Sequence, residues 1–157
     1  MNEEGKTKEA FEQFVVTRLD KEEYGIPIMY VESLIRMQEI TRVPDMPDFI
    51  EGVINLRGRI IPILDLRKKF RFKEKGHDER TRIVVVIVED QSLGLVVDAV
   101  SEVLRMSSED IDELPPTISH VGTEYLSGVG KLENRLVIIL NVEKILSELE
   151  KDTLKDI

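Results

Sequence analysis

Apolar residues in this chain fall mostly in short runs bounded by Gly, Pro and charged turn residues, the pattern of many short strands rather than long helices. Val15–Leu19 predicts a strand ended by the turn Asp20-Lys21-Glu22-Glu23. Gly25–Met29 predicts its hairpin partner, with Pro27 at an edge or bulge because it has no N–H for the ladder. Val31–Ile35 fits a further strand or a helical turn equally well. Pro44-Asp45-Met46-Pro47 marks a loop and Asp48–Gly52 a short helical turn. Val53–Leu56 and Arg59–Leu64 then read as a hairpin around Arg57-Gly58. Asp65 stands where its carboxylate caps a short helix, Leu66–Phe70. Beyond the charged stretch Arg71–Arg82, Ile83–Val88 is the most uniformly apolar strand, as expected of one buried on both faces. Leu93–Val97, the capping-box pattern Ser107-x-x-Asp110 and the loop Leu114-Pro115-Pro116 follow. Gly128–Leu132 and Arg135–Leu140 make a second hairpin around Glu133-Asn134. In Val142–Ile157, residues Val142, Ile145, Leu146, Leu149 and Leu154 form one helical stripe, expected to pack on the protein itself. Residues 1–13 carry no sustained apolar period and are expected to be a flexible tail.

The chain also contains a weak copy of itself. Phe14–Met37 aligns without gaps on Ile83–Met106 at an offset of 69 residues, with Val15, Val16, Gly25, Val31, Arg36 and Met37 recurring. Phe49–Lys68 aligns on Tyr125–Lys144 at an offset of 76, with Gly52, Val53, Leu56, Arg59, Ile63, Leu64 and Lys68 recurring. The extra seven residues fall in the loop between the blocks, where insertions are tolerated best. Glycines and arginines align along with the aliphatics, so the match exceeds the general likeness of apolar strands. The expected fold is therefore all-β, with two similar small barrels packed together, short helices at turns and a helix at the C-terminus. One domain over 14–157 would hold two pseudo-repeats, about 14–80 and 81–148. A repeat fixes similarity and not which strands pair, so strands exchanged between the barrels stay open.

Composition narrows the function. A net charge of −9 and a pI near 4.9 argue against nucleic acid or an anionic membrane surface as partner. No apolar run approaches the ~20 residues that span a bilayer, and the first ten residues are too polar for a signal peptide. The absence of cysteine excludes disulfides, thiolate metal sites and cysteine nucleophiles, and fits a reducing interior. Candidate chemistry is sparse. His77 lies in the charged linker and His120 in the Pro-flanked loop, neither at a spacing that implies a triad. No His/Asp/Glu grouping has metal-ligand spacing, and Gly128-Val129-Gly130 lacks the remainder of a phosphate loop. No catalytic, cofactor or metal residues are assigned, and a spatially assembled site around His120 is the enzymatic alternative. The repeated hairpin tips differ in charge, Arg57 standing where the second copy has Glu133, while Leu56/Leu132 and Arg59/Arg135 are held. That makes Arg57 a candidate binding residue.

The stretch Gly52-Val53-Ile54-Asn55-Leu56-Arg57-Gly58-Arg59-Ile60-Ile61-Pro62-Ile63-Leu64-Asp65-Leu66 resembles the CheW family of chemotaxis coupling proteins. The likeness extends from Phe14 to about Leu146 and includes Glu22-Glu23-Tyr24-Gly25-Ile26, Gly94-Leu95-Val96-Val97-Asp98, Thr123-Glu124-Tyr125-Leu126-Ser127-Gly128 and Asn141-Val142-Glu143-Lys144. It implies a pair of five-stranded, SH3-like barrels. It further implies a non-enzymatic, cytoplasmic adaptor recruited to receptor arrays at the inner face of the membrane. There it would bridge the cytoplasmic tip of methyl-accepting chemoreceptors to the regulatory domain of the histidine kinase CheA. The family's receptor-facing arginine falls on Arg57 in the motif Asn55-Leu56-Arg57-Gly58, with Asn55 and Gly58 taken as receptor-binding beside it, and an apolar receptor contact falls on Val31. Val100, the repeat partner of Val31, is added by pseudo-symmetry. No cofactor is implied, and a monomer is expected when free. About thirteen residues precede the repeat and about ten follow it, which favours a stand-alone coupling protein. The alternative is a CheW-like module from a larger kinase or adaptor.

Overall fold

The computed structural model describes residues 10–115 and 123–155. Phe11–Leu19 (β1) and Glu22–Pro27 (β2) form an antiparallel hairpin, and Val31–Arg36 (β3) follows a 3-10 turn at Ile28–Tyr30. Ile50–Leu56 (β4) and Arg59–Asp65 (β5) make a second hairpin that runs into the four-residue helix Leu66–Lys69 (α1). Arg82–Val88 (β6), Gln91–Val97 (β7) and Ala99–Ser107 (β8) come next, then the two-residue strand Ile111–Asp112 (β9). Leu126–Leu132 (β10), Arg135–Leu140 (β11) and the helix Val142–Lys155 (α2) complete the order.

The strands form two sheets, β8-β1-β2-β11-β10-β9 and β3-β6-β7-β5-β4, each curled into an SH3-like barrel. The first barrel takes its opening hairpin from the first pseudo-repeat and all else from the second. The other barrel takes β3, β4 and β5 from the first and β6–β7 from the second. Register follows the repeat. Ile63 pairs with Gly94 in the parallel contact of β5 with β7, as Ile139 pairs with Gly25 between β11 and β2. The bulge at Val31/Ser33 on β3 recurs where β8 meets β1, at Val16/Thr17. The barrels are even closed alike, by a bridge of Thr41 to Val53 in one and of Asp112 to Val129 in the other. This closure explains one repeated glycine. A β-carbon on Gly52, whose φ is +145°, would lie 2.1 Å from the Thr41 carbonyl oxygen, and one on Gly128 would lie 2.9 Å from that of Asp112.

Among the described residues, burial divides into three clusters. Ile54, Ile61, Ile63, Ile83, Val85 and Val96 fill one barrel, and Phe14, Met106 and Ile139 the other. The largest cluster lies between them, where Leu19, Tyr24, Ile26, Leu64, Leu66, Val84, Val86, Leu93 and Leu95 meet the buried face of α2. That face is Val142, Ile145, Leu146 and Leu149, as the helical stripe predicts; side-chain surroundings are described only as far as Leu149. Asp65 caps α1, accepting a hydrogen bond from the Arg67 N–H at 2.9 Å, and Ser107 with Asp110 forms the expected capping box, on a 3-10 turn.

Three expectations change and one open alternative is decided. The tail expected over residues 1–13 does not include Phe11, Glu12 and Gln13, which pair with Ser107, Met106 and Arg105 on β8. The strand predicted over Gly25–Met29 stops at Pro27, whose missing N–H ends the ladder. Val31–Ile35 resolves as strand. Ile50–Gly52 is the start of β4 rather than a helical turn, since its backbone is taken up by β5.

Candidate functional site

The hairpin β4–β5 is closed by two residues, with Leu56 opposite Arg59. Arg57 and Gly58 both have positive φ, 52° and 86°, the turn whose twist suits two flanking strands. The Gly58 N–H donates to Asn55 Oδ1 at 2.9 Å, so Asn55 spends its side chain on holding the turn. Arg57 is exposed and, among the described residues, has no hydrogen-bond or ion-pair partner. The pseudo-equivalent Glu133 and Asn134 close their hairpin without positive φ. Arg57 thus differs from its repeat partner in backbone as well as in charge.

The neighbouring arginine is anchored. Arg59 donates from Nη2 to both carboxylate oxygens of Glu32 at 2.9 Å and from Nη1 to Ser92 Oγ at 3.2 Å. This fastens the hairpin tip to β3 directly beside Val31. Arg135 repeats the device on the other barrel, reaching Glu23 at 2.9 Å and Glu102 at 2.6 Å. Val31 and Val100 are both half-buried and pack on the inter-barrel cluster, one from each barrel. The structure therefore brings Arg57, Asn55, Gly58 and Val31 together on one barrel and sets Val100 on the other, against the same core.

One cluster escapes sequence reading. Arg67 is only 5% exposed, and its guanidinium binds Asp98 through Nε at 2.9 Å and Nη2 at 2.8 Å, with Asp20 also on Nη2. Burial pushes the Asp98 carboxyl up, but the Arg67 hydrogen bonds and the Asp20 N–H outweigh it and hold the group below the ordinary carboxylate value. Asp65 moves the other way, raised by burial against the helix N–H groups it accepts. The signal was present in the words Asp65-Leu66-Arg67 and Val97-Asp98, but not the pairing.

Among the described residues no group of three or more His, Asp or Glu is placed to hold a metal ion. His77 sits exposed in the linker, and His120 lies outside the described residues. No described helix is long and apolar enough to cross a membrane.

Residues 13–150 match the family model described as a CheW-like domain. A chemotaxis protein CheW from Klebsiella aerogenes is 42% identical over 139 residues, covering 88% of this chain and 84% of that protein. Its counterpart from Helicobacter pylori is 39% identical over 136 residues, covering 87% and 82%. The crystal structure of the scaffolding protein CheW from Thermoanaerobacter tengcongensis superposes with a TM-score of 0.77 at 38% identity, over 83% of this chain and 89% of that one. On both sequence and fold, this chain belongs to the CheW family.

Proposed function

We propose that this chain is a non-catalytic, cytoplasmic adaptor of a bacterial chemosensory array, coupling the tips of methyl-accepting chemoreceptors to the regulatory domain of the histidine kinase CheA. The observation that carries the reading is the Arg57 turn. A guanidinium with no hydrogen-bond or ion-pair partner among the described residues stands on a positive-φ residue, within a hairpin fastened by Arg59 to Glu32. A guanidinium offers five N–H donors in a plane, suited to the carboxylates and end carbonyls of a helical receptor tip. Val31 and Val100 supply the apolar part of that contact. The kinase is held by other surfaces, so one chain engages both partners at once and raises the local concentration of kinase at the receptor.

Reconstitution tests this. With receptor-bearing membranes and CheA, the protein is expected to bring kinase into the membrane pellet and to raise its autophosphorylation. No effect at micromolar concentration with cognate partners rejects coupling.

A further inference from the structure

Within the described residues the chain crosses between the barrels twice. The first crossover, Ile28–Tyr30, joins β2 to β3; the second is the single residue Asp98, between β7 and β8. The repeat that relates residue 29 to 98 also relates 67 to 143, and each crossover is fastened to the matching helix residue. At the second, Arg67 of α1 grips Asp98 with two hydrogen bonds and Asp20 of the other barrel with a third. The backbone closes the same knot, Asp20 N–H donating to Asp98 Oδ2 at 2.8 Å and Asp98 N–H to the Arg18 carbonyl at 2.9 Å. At the first, the Tyr30 hydroxyl donates to Glu143 Oε2 at 2.8 Å in an exposed position, with Met29 beside it 72% exposed. One junction is multiply bonded around the buried Arg67, and its counterpart, among the described residues, has one side-chain hydrogen bond in an exposed position. Val31 and Val100 follow these junctions by one and two residues.

We infer that Arg67 is a positioning residue for the receptor-facing groove: by locking the Asp98 junction to both barrels it fixes Val100 relative to Val31, and the Tyr30 junction is the compliant side. This rests on the reading of the two valines as receptor contacts. The lock requires a planar fork, because a single ammonium cannot bond two oxygens of Asp98 and one of Asp20 in that plane.

The absence of cysteine allows a direct test, since Ile60→Cys and Leu136→Cys place one spin label on an exposed strand position of each barrel. The parent arginine protein is expected to give one narrow inter-label distance, and Arg67→Met a broader or shifted one, with Tyr30→Phe changing it less. Asp98→Asn, which keeps the shape of the pair, serves the same purpose if Arg67→Met fails to fold. In unlabelled protein, Arg67→Met is expected to weaken receptor-fragment binding about ten-fold and leave the kinase regulatory domain's affinity unchanged. A folded variant with an unaltered distance distribution overturns the lock. A broadened distribution with full receptor affinity, or equal loss for both partners, overturns the positioning role. Failure of the unsubstituted protein to bind receptor fragment instead overturns the functional reading, while the distances still judge the lock.

Discussion

Arg57 occupies a backbone region where a β-carbon is crowded and where glycine or asparagine is the ordinary choice. Arg57→Gly is therefore expected to leave stability unchanged or raise it by up to about 1 kcal/mol. Arg57→Ala should change stability by about 0.5 kcal/mol or less. Both should lose receptor affinity by roughly 2–4 kcal/mol, about thirty- to a thousand-fold, and keep kinase binding. Thermal unfolding beside paired titrations checks this, and parallel loss of both affinities rejects the assignment. The carboxylates make a pH prediction. Asp98 is held below its ordinary value, so its ionised form contributes stability that is complete above about pH 4 and lost as pH falls through the lower folded value. Asp98→Asn should cost about 1–3 kcal/mol at pH 7 and flatten the loss of stability below pH 4. Asp65 is raised by burial, so its charge costs stability at neutral pH and the cost vanishes on acidification. Asp65→Asn, which keeps the helix cap, should match or exceed the parent at pH 7 and lose any advantage as pH falls. Denaturant midpoints at pH 7, 4 and 3 decide both.

At the scale of elements, what is local in sequence was legible. The hairpins at Arg57-Gly58 and Glu133-Asn134, the cap at Asp65, the capping box at Ser107 and the stripe on α2 each follow from residues a few positions apart. The edges were not, because their reasons lie far along the chain. Phe11–Gln13 becomes strand only through β8, and Asp112 pairs as strand only against Val129. Arg67 reads as one more exposed cation in Leu66-Arg67-Lys68-Lys69, because its carboxylate partners lie 31 and 47 residues away. The candidate site divides in the same way: the exposed two-residue turn at Arg57-Gly58 was legible from a contiguous motif, while the Arg67–Asp98 pairing two residues before Val100 was not. Two substitutions probe the elements. Ile145→Ala, at a side chain 1% exposed beneath α2, should cost about 2–4 kcal/mol. Gly52→Ala should cost at least about 2 kcal/mol by driving Thr41 off the closing bridge. Gly58→Ala, with open space around its β-carbon but φ of 86°, should cost only about 1 kcal/mol. Urea midpoints for the three variants give the order; equal costs at Gly52 and Gly58 would reject the closure account.

For the whole molecule, strand exchange sets the cooperative unit. Each barrel needs both pseudo-repeats, so fragments cut after Gly76 should each lack stable β-structure and regain it when mixed. Circular dichroism of the separate and combined fragments tests this, and a folded single fragment contradicts it. The same connectivity has a consequence in time. Strands β3 to β7 are contiguous, so that barrel can close once about residue 97 has emerged during synthesis. The hairpin β1–β2 emerges first yet must wait for β8 and finally for β11, which ends at Leu140. At ordinary translation speeds that wait lasts roughly 5–25 s, with both hairpin edges open. Glu12, Gln13, Arg18, Glu22 and Glu23 along those strands supply the polar and charged side chains that discourage a waiting edge from annealing to another nascent chain.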